Sequence, residues 1–213
     1  MPKVDIQFPL LGRDIPVDHG YHLFAAVSEI VPEIHDDRKI GIHSINGRLI
    51  GNRLLALTDR SRLSIRIPSD RIKSLLPLAG QTLVIGGHKI RIGVPSIRAL
   101  IPKSRLYSRL VIIKGFTQAE EFLKAAERQV TNLGIRGKLC LIKQFQVACT
   151  NKERKAGTRS PYLRRTIRIG DKEIVGFALR VEALTEEESI RLQEEGIGGR
   201  RRFGCGLFIP DRR

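Results

Sequence analysis

The sequence predicts an α+β protein: two tandem βαββαβ units of ferredoxin-like order, with a C-terminal glycine-rich loop. Three observations predict it. The order strand, helix, strands, helix, strand is read once before residue 95 and again after residue 104. A stretch containing Pro95 and Pro102, with no acidic residue, separates the two readings. Five glycines fall within the eleven positions 196–206, more than a helix tolerates. The expected domains are residues 1–94 and 105–213, with 95–104 as the linker.

In the first unit, Val4–Leu10 alternates apolar and polar residues as a half-buried strand does. A helix follows from about Asp18, with Leu23, Val27, Ile30 and Val31 on one stripe, and Pro32 ends it. Ile40–Ile45 reads as a strand, with Asn46-Gly47 as a hairpin turn after it. Leu63, Ile65 and Ile67 alternate with polar residues in another strand. Ser69 is placed to cap a short helix through Leu76, and Leu83–Ile92 is a hairpin turning at Gly86-Gly87.

The second unit repeats the order. Tyr107–Gly115 is strand-like, and Thr117–Glu120 has the spacing of a capping box. The helix it opens carries Phe122, Ala126, Val130 and Leu133 on one face and stops at Gly134. Lys138–Val147 is a strand, and Thr166–Val181 is a hairpin turning at Gly170-Asp171. Thr185–Glu188 is a second capping box, opening a helix that ends at Gly196. Cys205–Ile209 is the last strand.

Charge narrows the function classes. The 38 basic and 22 acidic residues give a formal charge of +16. Residues 1–99 hold 14 basic and 9 acidic side chains (+5), and residues 100–213 hold 24 and 13 (+11). A surplus this large implies a polyanion partner, because neutralised phosphates release counterions. Aromatic residues are only 5% and Trp is absent, which favours a structured, backbone-read nucleic acid over a stacked single strand. No apolar run approaches the roughly 18–20 residues that span a bilayer, so no membrane association is expected. The charged N-terminus argues against a secretory signal, and Cys140, Cys149 and Cys205 lack metal spacing. A cytoplasmic protein with reduced thiols is expected.

Two basic segments dominate. From Lys143 to Arg168 there are eight basic residues and one acid, including Lys152, Arg154, Lys155, Arg159, Arg164 and Arg165. The glycine-rich segment, Gly196, Gly198, Gly199, Gly204 and Gly206, encloses Arg200, Arg201 and Arg202. It is not a dinucleotide fingerprint, since a helix precedes it and a strand follows, and it lacks the Gly-Lys-Ser/Thr of a P-loop. Glycines there permit close approach of a phosphate backbone, or of the helix–strand seam, and guanidinium groups can fork onto phosphates. Of five histidines, His19, His35 and His43 cluster in the first strand–helix–strand unit. Histidine is the side chain whose charge ordinarily changes near neutral pH. No metal-ligand spacing is evident.

The segments "DHGYHLFAAVSEIVPEIHDDRKIGIHSI", "GTRSPYLRRT" and "EEGIGGRRRFGCGLFIP" resemble the CRISPR repeat-processing endoribonucleases of the RAMP superfamily, specifically their short MYXAN-type branch. The resemblance implies metal-independent cleavage of precursor RNA within its repeat, with no cofactor. The 2′-hydroxyl before the cut attacks the neighbouring phosphate, leaving a cyclic phosphate and a 5′-hydroxyl. It implies a catalytic histidine at or just past the end of the first helix. Ile34-His35-Asp36 matches that setting, so His35 is the first choice, with His19 and His43 as alternatives. Ser28 stands near the place of the family's helical tyrosine or serine, and Lys39 or Arg38 near that of its lysine. The implied partners are a repeat stem-loop RNA and, through retained guide RNA, other effector subunits. Two further readings stay open: a non-catalytic repeat-hairpin subunit of an effector complex, and another structured-RNA-binding protein.

Overall fold

The structure is a computed structural model that describes residues 1–37, 39–143 and 161–211. In the N-terminal half the order is β1 (Lys3–Leu11), β2 (Asp14–Pro16), α1 (Gly20–Ile30), a 3-10 turn (Pro32–Ile34), β3 (Gly41–Ile42), β4 (Arg48–Gly51), β5 (Leu54–Ala56), β6 (Arg62–Pro68), a 3-10 helix (Ser69–Leu78), β7 (Thr82–Ile85), β8 (His88–Ile92) and β9 (Ser96–Ala99). The C-terminal half follows with β10 (Leu106–Val111), α2 (Ala119–Asn132), β11 (Lys138–Leu141), β12 (Arg164–Ile169), β13 (Lys172–Glu182), α3 (Glu186–Glu195), a 3-10 turn (Arg201–Phe203) and β14 (Ile209–Pro210).

The duplication is visible in the sheets. The first runs β3-β6-β1-β8-β7 and the second β11-β13-β10-β14. Both place the first strand of the unit between its third and fourth, the ferredoxin-like arrangement. Ile6, Phe8, Leu63 and Ile65 join α1 residues Leu23 and Val27 in one core; Leu106, Val111, Phe177 and Leu179 join Phe122 and Val130 of α2 in another.

Local chemistry explains most of the elements. The hairpin at Gly86-Gly87 has both glycines at positive φ (57° and 87°), which the right-handed twist of a two-residue hairpin requires. The capping box at Thr185 forms as predicted, with reciprocal bonds between Thr185 and Glu188.

Several elements differ from expectation: Ser69 makes no side-chain cap, since Pro68 is the N-cap of that 3-10 helix, and the last strand holds only Ile209–Pro210. Residues 96–99 of the expected linker form β9, which pairs with Val4–Gln7 of β1 and extends the first sheet. The turn expected at Asn46-Gly47 is displaced: β4 and β5 turn at Asn52 and Arg53, both at positive φ, and Gly47 instead packs closely on Ala56. The Thr117 box is not made, because Gln118 is the N-cap of α2 and offers no side-chain cap. Of the strand expected over 138–147, β11 ends at Leu141 and residues 144–147 lie outside the described residues.

Arg66 fastens the two halves together. Its side chain is buried, and Nε and Nη2 fork onto both carboxylate oxygens of Asp5 at 2.8 and 2.9 Å. Its Nη1 donates to the carbonyls of Gln193 and Phe208 in the C-terminal half, each at 2.8 Å. The Lys3 ammonium donates to the Glu194 carbonyl beside it.

Candidate functional site

The first helix presents Tyr21, Phe24 and Ser28 at spacings of three and four, hence on one face. Pro32 forces a break, and the 3-10 turn that follows buries Ile34 and leaves His35 exposed at its end, with its N–H bonded to the Pro32 carbonyl at 2.9 Å. The His35 ring returns onto Phe24, with centroids 5.6 Å apart. Phe203 of the glycine-rich loop meets Phe24 edge-on at 5.1 Å, and Tyr21 lies 6.1 Å from Phe203. The Arg202 guanidinium stands 4.9 Å from the Phe24 centroid. A cation–π contact of this kind contributes about 0.5–2 kcal/mol. One phenyl ring therefore carries an accessible imidazole and a guanidinium from opposite ends of the chain.

The loop's geometry is set by the protein around it. The N–H groups of all five glycines are spent internally: Gly196 to Leu192 O, Gly198 to Gln129 Oε1, Gly199 to Ile112 O, Gly204 to Arg201 O and Gly206 to Leu110 O. Gly196 and Gly206 approach each other too closely for a Cβ, and a Cβ on Gly204 would meet Ser44 Oγ at 2.7 Å. Gly20 lies against the Phe203 carbonyl and Gly41 against Leu207. The bare backbone thus seats itself in the seam between the halves, and its amides are not offered to a ligand. What it offers is its side chains.

The three consecutive arginines diverge. Arg202 faces Phe24. Arg201 is held among protein groups with Glu195 as its charged neighbour, and burial lowers its proton affinity. Arg200, at φ 64°, is exposed on the side of Cys205. Burial pushes the Cys205 thiol up to about 12, so it is no nucleophile.

The other two candidate histidines have structural surroundings. His19 is buried at the start of α1; Nδ1 lies 2.9 Å from the Pro16 carbonyl, and Nε2 accepts the Ile45 N–H at 2.9 Å. Both ring nitrogens are occupied, and burial lowers its pKa. His43 has its Nε2 3.5 Å from Asp5 Oδ1, within the Arg66 joint. Burial lowers its pKa as well, partly offset by Asp5. Burial alone would raise the Asp5 carboxyl, but His43 and Arg66 outweigh it and hold it well below the usual carboxylate range.

The Ser28 hydroxyl is buried without a hydrogen-bond partner among the described residues. Lys39 is exposed, with its N–H on Asp37 Oδ1 at 2.7 Å; Asp37 also pairs with Arg71, and Arg38 lies outside the described residues. Arg164 and Arg165 lie on β12, whereas Lys152, Arg154, Lys155 and Arg159 lie outside the described residues. Among the described residues no group of three His, Cys, Asp or Glu side chains could hold a metal, and no helix is long and apolar enough to cross a membrane.

Sequence reasoning missed Phe24, Tyr21 and Arg109. Phe24 and Tyr21 fall off the apolar stripe used to find the helix. Arg109 had a signal: Leu110 and Val111 break the alternation of their strand.

Comparison with known proteins follows the same lines. A protein of Myxococcus xanthus (strain DK1622), "CRISPR-associated endonuclease Cas6", is 37% identical over 210 residues, covering 99% of this chain and 82% of that one. A solved structure of a Cas6-related gene product from Pyrococcus furiosus superposes with a TM-score of 0.69 at 16% identity, covering 99% of this chain and 100% of the other. Another, described as "An RAMP protein binding different RNA substrates", gives 0.65 at 14% identity over 97% and 98%. The sequence profile of the family described as "Cas6 Crispr" matches residues 4–213, and this chain belongs to the Cas6 family.

Proposed function

We propose that this chain is a metal-independent endoribonuclease that cuts CRISPR precursor RNA within its repeat. The observation that carries the reading is the pairing on Phe24: an exposed imidazole, His35, beside a guanidinium, Arg202, in a strongly basic protein. Internal transesterification needs those two chemistries. One group moves a proton, either from the 2′-hydroxyl or to the leaving 5′-oxygen, and a cation stabilises the charge that grows on the phosphorane. His35 takes the proton-transfer role, because His19 has both nitrogens bonded and His43 stands within the buried Asp5–Arg66 joint. Arg202 takes the electrostatic role, and Lys39 is the further cation near the same turn. The hydroxyl of Ser28 is enclosed and serves the packing beneath Phe24.

The partner in this reading is a repeat stem-loop, gripped by β12 and the basic segment before it. Retained product RNA is the route to other effector subunits. The test is cleavage of a single-repeat RNA in excess chelator. Wild-type protein should cut it and leave a cyclic phosphate, and a 2′-deoxy nucleotide at the cut should stop the reaction. Persistent cutting of the deoxy substrate would rule out internal attack; binding without any cutting would make the chain a repeat-binding subunit.

A further inference from the structure

A register irregularity in the C-terminal sheet aims another arginine. Between β10 and β13 the register passes from Ser108↔Leu179 to Val111↔Phe177, so Arg109 and Leu110 together oppose Ala178. Such a bulge inserts one residue and shifts the inside–outside alternation. Leu106 and Val111 pack toward the helices, whereas Leu110 and Ile112 join Ile167 and Cys205 on the other face. Arg109 stands with them, and its Nη1 donates across the seam to Ser44 Oγ at 3.3 Å.

Arg109 has a second guanidinium, Arg165, beside it on the same face of the sheet. Burial lowers its proton affinity and the adjacent Arg165 charge lowers it further. The charges of Arg200, Arg109 and Asp18 all act on the buried Cys205 thiol. Asp18 is the carboxylate that acts on both Arg109 and Cys205 among the described residues, and its Oδ2 already accepts the Arg168 N–H at 2.9 Å. Arg165 Nε is buried without a hydrogen-bond partner among the described residues. Guanidinium groups gathered this way repel one another, and an unpaired buried donor adds to the cost. An anion with several oxygens relieves both, and the planar fork of arginine fits phosphate.

We propose that Arg109, Arg165 and Arg200 form a phosphate-binding subsite for the RNA backbone that takes a phosphate other than the one being cut. This rests on the RNA-cleaving reading above. Arg202 turns away from this cluster to Phe24, so the Arg200–Arg202 turn divides its charge between two places along the strand.

The test uses the full chain and a single-repeat RNA made uncleavable by a 2′-deoxy nucleotide at the cut. A set of these RNAs carries one neutral methylphosphonate each, at successive positions, and binding is read by fluorescence anisotropy over a salt series. At one position away from the cut, the substitution should weaken wild-type binding about ten-fold, the loss of a charge-assisted contact. Arg109→Ala should weaken binding of the unmodified RNA similarly, lower the salt slope by about 0.7–0.9, and be indifferent to the methylphosphonate at that position. Arg165→Ala, on the edge strand β12, should give the same pattern and keeps the comparison available should Arg109→Ala unfold. The subsite is overturned if the folded variants retain wild-type affinity and sensitivity profile, or if they change the response only at the scissile phosphate. Failure of wild-type protein to bind any of the RNAs would instead overturn the RNA reading beneath it.

Discussion

Arg66 and Arg109 both reach across the seam between the halves, and they are opposites. Arg66 makes four hydrogen bonds, two to Asp5 and two to carbonyls of the other half, so its donors are matched by fixed acceptors. Among the described residues Arg109 has one long bond, to Ser44, and a like-charged neighbour in Arg165. The first arginine is an internal fastener. The second, like Arg202 on Phe24, is a cation that the protein itself leaves short of acceptors. In the proposed reading, satisfaction of the guanidinium, more than its burial, separates the arginines that hold this fold from those that serve the RNA.

The contrast can be broken from either side. The largest effect on folding should come from Arg66→Ala, which strands Asp5 and should cost about 3–5 kcal/mol in denaturant unfolding. Arg109→Ala should leave stability close to wild type, so equal losses would erase the distinction. On the ligand side, Arg202→Ala should slow single-turnover cleavage by about 10²-fold, the scale of a lost electrostatic donor, with Arg202→Lys recovering part of the rate. A smaller effect is expected of Gly204→Ala, where φ is 82° and the new Cβ meets Ser44 Oγ. It should destabilise by more than the ~0.4–1 kcal/mol that Gly→Ala gains at a compatible position, read as a lowered Tm.

The mildest prediction concerns acid. Because the folded state depresses the His43 pKa, the unfolded chain takes up the proton first, and stability falls as pH drops below about 6.5. The Asp5 carboxyl, also depressed, adds its loss below about 4. Each such group changes stability by at most about 1.4 kcal/mol per pH unit. His43→Gln should make the first phase shallower in melts between pH 7 and 5, the remainder belonging to buried His19, and should weaken the second, because His43 helps hold the Asp5 carboxyl low.

What the sequence made legible was chemistry confined to a few neighbouring residues. The hairpins at Gly86-Gly87 and Gly170-Asp171 and the box at Thr185 follow from local turn and cap preferences, and the repeated element order followed from them. The turn at Asn52-Arg53 was hidden because a non-glycine pair holds the positive φ there. The Arg66 joint was hidden because its acceptors, Gln193 and Phe208, are distant in the chain. Within the candidate site, the residues alone left His19, His35 and His43 open, and His35 was preferred only through the family resemblance. Its neighbour Arg202 was readable only as charge, since the turn that sends three adjacent arginines in three directions depends on glycines pressed against the other half. The surroundings of His19 and His43 required the packed structure, because only packing shows that both nitrogens of His19 are bonded and that His43 is enclosed beside Asp5.

The central claim is that the exposed imidazole on Phe24 moves the proton. It is tested most directly by measuring single-turnover cleavage and binding of one repeat RNA, in chelator, for wild type and His35→Ala. The account predicts a rate lower by about 10²–10⁴-fold with affinity within a few-fold of wild type. An unchanged rate would contradict it.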